Sequence, residues 1–162
     1  VTEDDITELA RKVGRACKRL KVEIVTAESC TGGGLAAAIT RISGSAKWFE
    51  RGFVTYANTA KKDLLGVSQR TLKEHGAVSE AVAREMAVGA LANSRADVSV
   101  SVTGIAGPTG AVPGKPVGTV WLCWAARGGP VQSRRFLFKG GRVEVRKQTV
   151  AMALQGLLDL LR

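Results

Sequence analysis

Residues 22–34 read Val-Glu-Ile-Val-Thr-Ala-Glu-Ser-Cys-Thr-Gly-Gly-Gly, a short β-branched run that breaks directly into three glycines. Such a run predicts a strand, the glycines a tight turn, and the apolar stretch from Leu35 to about Ile42 a helix. Strand, glycine turn and helix in immediate succession is the unit of α/β architecture. In open sheets of that kind, ligands gather where strands end and helices begin.

The rest of the chain extends the pattern. Thr2 and Asp5 form a capping-box-like start, and Ile6, Leu9, Val13, Cys17 and Leu20 then recur at helical spacing. Gly52 to Tyr56 predicts a second strand, with Asn58 placed to cap a short helix that Gly66 ends. Ser68 and Ser79 are further caps, for a short helix ending near Gly76 and a longer one carrying Val82, Met86 and Ala90. Asp97 to Thr103 predicts a strand, and Gly104 to Gly118, with three prolines and five glycines, one long loop. Thr119–Ala126 and Val131–Phe138, joined by Arg127-Gly128-Gly129-Pro130, predict an antiparallel hairpin. A last helix from about Arg142 to Leu161 would turn Val143, Val150, Leu154, Leu157 and Leu161 to one face. With no repeat or linker, residues 1–162 predict a single three-layer α/β/α domain with a mixed β-sheet.

Composition narrows the function classes. No apolar run reaches the roughly 18 residues of a membrane span, and the polar start Val1 to Asp5 is unlike a signal peptide. Cys17, Cys30 and Cys123 are widely spaced and only His75 could join them, so neither a zinc site nor a disulfide framework is expected. That usage suits a reducing cytoplasm. The 24 Lys+Arg against 14 Asp+Glu give a net charge of +10, and seven basic residues between Arg127 and Lys147 face one acidic residue, Glu144. Nucleic acid is thereby raised as a partner. Aromatic content of 5%, with Trp121, Trp124, Phe136 and Phe138 in runs that look like sheet core, argues against it.

Chemistry has few places to sit. Around Glu28, Ser29, Cys30, Thr31, Gly32 and Gly33, free backbone N–H groups at a helix start would favour an anion or oxyanion; the plainer alternative is a capped glycine turn. Gly32 to Ala37 fits a dinucleotide fingerprint only loosely, with Glu50 as its distant acid, and no Walker loop is present. A serine nucleophile needs a base, and a lone His75 between two helices supports no Ser-His-Asp triad. Lys61, one turn into the helix after Tyr56, is a candidate base if desolvated; otherwise it is a solvated helix lysine. Ser43 or Ser45 with Lys47 is a rival pair, more simply read as polar loop. Thr103, Gly104, Ile105, Ala106 and Gly107 form a second glycine turn after a strand, able to hold a phosphate with Arg142, or to be merely a loop beside a surface arginine.

Five segments taken together carry a resemblance: Thr26-Ala27-Glu28-Ser29-Cys30-Thr31-Gly32-Gly33, Val54-Thr55-Tyr56-Ala57-Asn58-Thr59-Ala60-Lys61, Gly76-Ala77-Val78-Ser79-Glu80, Thr103-Gly104-Ile105-Ala106-Gly107-Pro108 and Lys115-Pro116-Val117-Gly118-Thr119-Val120-Trp121. In this order they resemble the CinA C-terminal family, in its standalone amidohydrolase form. The resemblance implies hydrolysis of nicotinamide mononucleotide to nicotinate mononucleotide and ammonia, in pyridine-nucleotide salvage. It also implies no metal, no cofactor and a homo-oligomer. Position by position it puts the family's serine on Ser29, its tyrosine on Tyr56 and its lysine on Lys61. Glu28, Cys30, Thr31, Gly32, Gly33 and Asn58 fall on the oxyanion and substrate side, and Thr103 to Gly107 with Arg142 on the phosphate side. The chain departs from the family pattern at Ala111 and Gly141.

Overall fold

The computed structural model describes all residues, 1–162. Helix α1 (Glu3–Leu20) starts with the expected capping box, Thr2 accepting from the Asp5 amide and Asp5 from the Thr2 amide. Strand β1 (Ile24–Glu28), helix α2 (Gly34–Thr40), a short 3-10 turn (Ser45–Lys47) and strand β2 (Phe49–Val54) follow. Next come α3 (Asn58–Leu65), α4 (Gln69–His75), α5 (Glu80–Ala92), β3 (Val98–Gly104), β4 (Thr119–Ala126), β5 (Val131–Leu137) and α6 (Arg142–Leu160).

The sheet runs β2-β1-β3-β4-β5, with β1 parallel to both neighbours and the β3-β4-β5 pairs antiparallel, so it is mixed. Both faces are covered. On one, α1, α2 and α6 enclose the larger core around Ile6, Val13, Leu35, Trp48, Val100, Leu122 and Leu154. On the other, α3 and α5 pack Leu65, Val82, Met86 and Ala90 against Val25, Ala27 and Cys123. Every residue of β1 is buried, as a central strand with helices on both sides requires. No helix is long and apolar enough to cross a membrane.

Three local expectations shift. Strand β2 begins at Phe49 and ends at Val54, so Glu50 lies within it and Tyr56 beyond it. It is an edge strand with exposed Arg51, Gly52 and Val54, and therefore lacks the alternation that marks a half-buried strand. Asn58 does not cap α3: Ala57 holds the cap position without a side-chain bond, and Asn58 is the first helical residue. Val143 is 60% exposed, and α6 buries Val145 and Thr149 instead. The serine caps at Ser68 and Ser79 and the left-handed glycine after α3, Gly66, stand as the sequence predicts.

Because β1 leads to β2 on one side while β3 returns on the other, the sheet has its topological switch at the carboxyl ends of β1 and β3. The Ser29 amide donates to the Val102 carbonyl at 3.0 Å, extending the ladder one residue beyond β1 and tying the two exits together. On the α5 side, Ser99 and Ser101 donate to the Ala87 and Ala83 carbonyls at 2.8 and 2.6 Å, and Thr103 to the Ala77 carbonyl at 2.7 Å. The polar residues of β3 are thus satisfied by the helix that covers them and by the turn that precedes it.

Helix α3 docks on α5 through Gly89, where an added Cβ would overlap the Leu65 carbonyl. Gly89→Ala should therefore force the two helices apart and lower unfolding stability by about 1–3 kcal/mol, read as a fall in the urea midpoint. A wild-type midpoint would show that α5 can move without loss.

Candidate active site

The turn after β1 is built around a buried carboxylate. Helix α2 has no side-chain cap of its own, its cap residue being Gly33 in the left-handed region. Glu28, fully buried at the end of β1, supplies one from seven residues upstream: it accepts from the Leu35 amide at 2.8 Å and the Ala36 amide at 3.0 Å. Thr31 Oγ1 donates to the same carboxylate at 2.5 Å. Charge-assisted bonds of this kind are worth roughly 1.5–3 kcal/mol each, enough to offset much of the cost of burying the carboxylate. Ser29 and Cys30 are held between this anchor and the β3 ladder.

Lys61 sits in α3 with only 1% of its surface exposed. Its Nζ lies 2.9 Å from Ser29 Oγ, 2.9 Å from the Thr55 carbonyl oxygen and 3.1 Å from that of Tyr56. No carboxylate forms an ion pair with it. Burial without a counter-ion disfavours the ammonium and pushes the lysine below its ordinary value of 10.5. In the neutral amine two N–H groups serve the two carbonyls, and the lone pair is left facing the Ser29 hydroxyl. Beside it, burial pushes the Cys30 thiol up to about 12, so the sulfur stays protonated at neutral pH.

These groups open into a cavity of about 250 Å³ lined by Ser29, Cys30, Tyr56, Asn58 and Lys61 on one side and by Thr103, Gly104, Ile105, Ala106, Gly107 and Arg142 on the other. The Cys30 and Ala106 amides, on opposite walls, donate to no backbone carbonyl. Arg142 closes the rim, donating to the Gly107 carbonyl at 2.7 Å and to the Tyr56 hydroxyl at 2.8 Å. Tyr56 is 57% exposed; its phenol faces Arg142, while its backbone carbonyl is what touches Lys61.

Glu28, Thr31, Gly32 and Gly33 do not line the cavity; they stand behind its wall, and the Gly32 amide is taken by the Ser29 carbonyl at 2.9 Å. Thr109 and Gly110, which end the glycine-rich segment running from Ser101 to Gly110, line it too, as do Ala77 and Val78, which no local signal marks but which fall within one of the five resembling segments. The wall offers no imidazole or carboxylate, and no group of three or more His, Cys, Asp or Glu lies together in the chain. The residues of the basic stretch have separate roles. Arg127 donates to the Leu91, Ser94 and Ala96 carbonyls, Arg134 lies over Phe136, and Arg142 belongs to the cavity. Trp124 is core, its indole N–H donating to the Ala153 carbonyl.

Comparison with known proteins fits this geometry. The family model described as the CinA C-terminal domain matches residues 6–161. The nicotinamide-nucleotide amidohydrolase PncC of Escherichia coli K12 is 52% identical over 97% of this chain and 95% of its own length. The protein of that name from Pseudomonas putida is also 52% identical, over 97% and 98% respectively. A crystal structure of the competence/damage inducible protein CihA from Agrobacterium tumefaciens superposes with a TM-score of 0.95 at 49% identity, covering 98% of this chain and 96% of that one. With the model match spanning nearly every element of the fold, the chain belongs to the CinA C-terminal domain family.

Proposed function

We propose that the chain is a nicotinamide-nucleotide amidohydrolase that converts nicotinamide mononucleotide and water to nicotinate mononucleotide and ammonia without a metal. The observation that carries this reading is the 2.9 Å contact between a buried amine without a counter-ion and the Ser29 hydroxyl. The substrate comes from the printed name of relatives that share 52% of the sequence over nearly its whole length. Three buried free cysteines suit a reducing cytoplasm, and a homo-oligomer is part of the same proposal.

In this mechanism Lys61 takes the Ser29 proton as Oγ attacks the carboxamide carbon. The oxyanion is stabilised by the Cys30 amide, the donor following the nucleophile, and by the Ala106 amide across the cavity. Lys61 returns the proton to the departing nitrogen, which leaves as ammonia, and an acyl ester on Ser29 remains. Water attacks the ester carbon, Lys61 takes its proton and delivers it to Oγ, and nicotinate mononucleotide leaves. Tyr56 orients Lys61 through its carbonyl, and its phenol holds Arg142. Arg142 and the rest of the turn from Thr103 to Gly107 receive the phosphate, and Asn58, which lines the cavity and whose side-chain amide makes no bond within the protein, contacts the substrate.

Ammonia release from nicotinamide mononucleotide, in chelator, with nicotinamide and nicotinamide riboside as controls, tests the substrate and the metal together. Ser29→Ala and Lys61→Met should each reduce kcat by roughly 100- to 10,000-fold with the fold intact by circular dichroism. Full turnover in a folded Lys61→Met variant would sink the dyad. Because only the neutral amine accepts the proton, kcat should rise with pH along an acid limb whose midpoint lies below 10.5.

The same burial predicts a linkage in stability. Folding lowers the Lys61 pKa, so the unfolded chain binds the extra proton between the folded value and 10.5. Over that window wild type should gain stability relative to Lys61→Met as pH rises, and lose it as pH falls. Parallel pH profiles for the two proteins in denaturant melts would refute the desolvated amine.

A further inference from the structure

The nucleophile turn is gripped from a second side by a residue outside the cavity. Arg146 Nη2 donates to the Thr31 carbonyl at 3.0 Å, across 115 positions of sequence. Thr31 is thus held at both ends, its hydroxyl by Glu28 and its carbonyl by Arg146. The next residue, Gly32, has φ +58, and a Cβ there would stand 3.1 Å from the Arg146 guanidinium. Arg146 itself is half-buried and pairs with no carboxylate; Glu3, in the same small cavity, is engaged by Arg41 at 2.5 Å and Lys147 at 3.7 Å. The Thr31 carbonyl is therefore the one acceptor the structure gives this guanidinium.

Four residues earlier on α6, Arg142 makes the matching contact with the Gly107 carbonyl at 2.7 Å. Side chains four apart share a helix face and lie about 6 Å apart along the axis. One face of α6 thereby holds a carbonyl in each of the two glycine turns that form opposing walls of the cavity. We propose that Arg146 is a positioning residue: through Thr31 it fixes the turn that aims Ser29 Oγ at Lys61, and with Arg142 it sets the distance between the walls. The proposal rests on the reading above only in taking Ser29 as the nucleophile.

Glu28 continues to cap α2 and the Gly34 amide still donates to the Thr31 carbonyl at 2.9 Å when Arg146 is removed, so the turn persists while its carbonyl loses the one contact that ties it to α6. A displacement of about 1 Å at a reacting group can cost roughly 100-fold in rate. Arg146→Met should therefore lower kcat by roughly 10- to 100-fold with KM within about twofold, and leave the acid limb of the pH profile in place because Lys61 stays buried. Labelling of Ser29 by a fluorophosphonate should slow by the same factor, and added guanidinium ion at millimolar concentration should restore part of it in Arg146→Ala. Arg41→Met removes a cation from the same cluster without touching Thr31, and should leave both rates unchanged. Arg146→Gln, whose amide is too short to span the gap, is the second variant.

Rates are normalised to the folded fraction. Wild-type kcat and labelling in any folded Arg146 variant overturn the proposal. So does a loss confined to melting temperature, which assigns Arg146 to stability alone, and so does a loss equalled by Arg41→Met. Wild-type protein that takes the label but releases no ammonia from nicotinamide mononucleotide would remove the substrate reading and leave the positioning test valid. Wild-type protein that takes no label overturns both.

Discussion

An amine placed among apolar side chains and two carbonyl oxygens, with no carboxylate to neutralise it, is the constraint around which this structure is organised. A lysine in such a place would ordinarily be drawn back to solvent. It is retained because α3 is short, begins two residues after Tyr56, and is pressed onto α5 at Gly89, which holds Lys61 on the inner side of the helix. The Thr55 and Tyr56 carbonyls, beyond the end of β2, then accept two of its hydrogens. An ammonium would present a third hydrogen to Ser29 Oγ where the neutral amine presents a lone pair. Acid–base character and fold are thus set by the same packing.

The opposite partner is held by a different device. Ser29 stands on a turn whose backbone is committed at every side: the β3 ladder at its amide, Glu28 beneath it and α6 behind it. The proposed catalytic pair needs this asymmetry. One member is tuned by removing water, the other by fixing an oxygen that has little intrinsic reactivity. Cys30, next in sequence and intrinsically the better nucleophile, is kept inert by burial.

Much of this was legible in the sequence, for identifiable reasons. The β-branched run into three glycines, the serine caps and the Gly-Gly hairpin are local signals, and local signals gave the order of elements and the mixed sheet. Ser29, Tyr56 and Lys61 could be named as candidates because each lies at or just beyond a strand end or in the first turn of a helix, although for Lys61 that position equally fits a solvated helix lysine. Edge strand β2 was displaced by three residues because its exposed side chains carry no period. Other features could not be read locally. Glu28 caps a helix from seven residues upstream, and Lys61 looks like any surface lysine until α5 is placed over α3. Arg146 was legible only as one of seven basic residues, although its position four after Arg142 already put both on one face of α6.

The two walls of the cavity come from separate stretches of the chain. Ser29 and Lys61 lie in the first half, the turn after β3 follows, and α6 comes after every other element of the fold. A domain of this kind emerges from the ribosome amino end first, at about 5–20 residues per second. Ser29 and Lys61 are therefore synthesised several seconds before the helix that braces the Ser29 turn and closes the rim at Arg142. Until α6 has docked, the incomplete chain carries the Ser29 hydroxyl and the Lys61 amine without Arg142 at the rim, so the cavity is completed only by the last element of the fold.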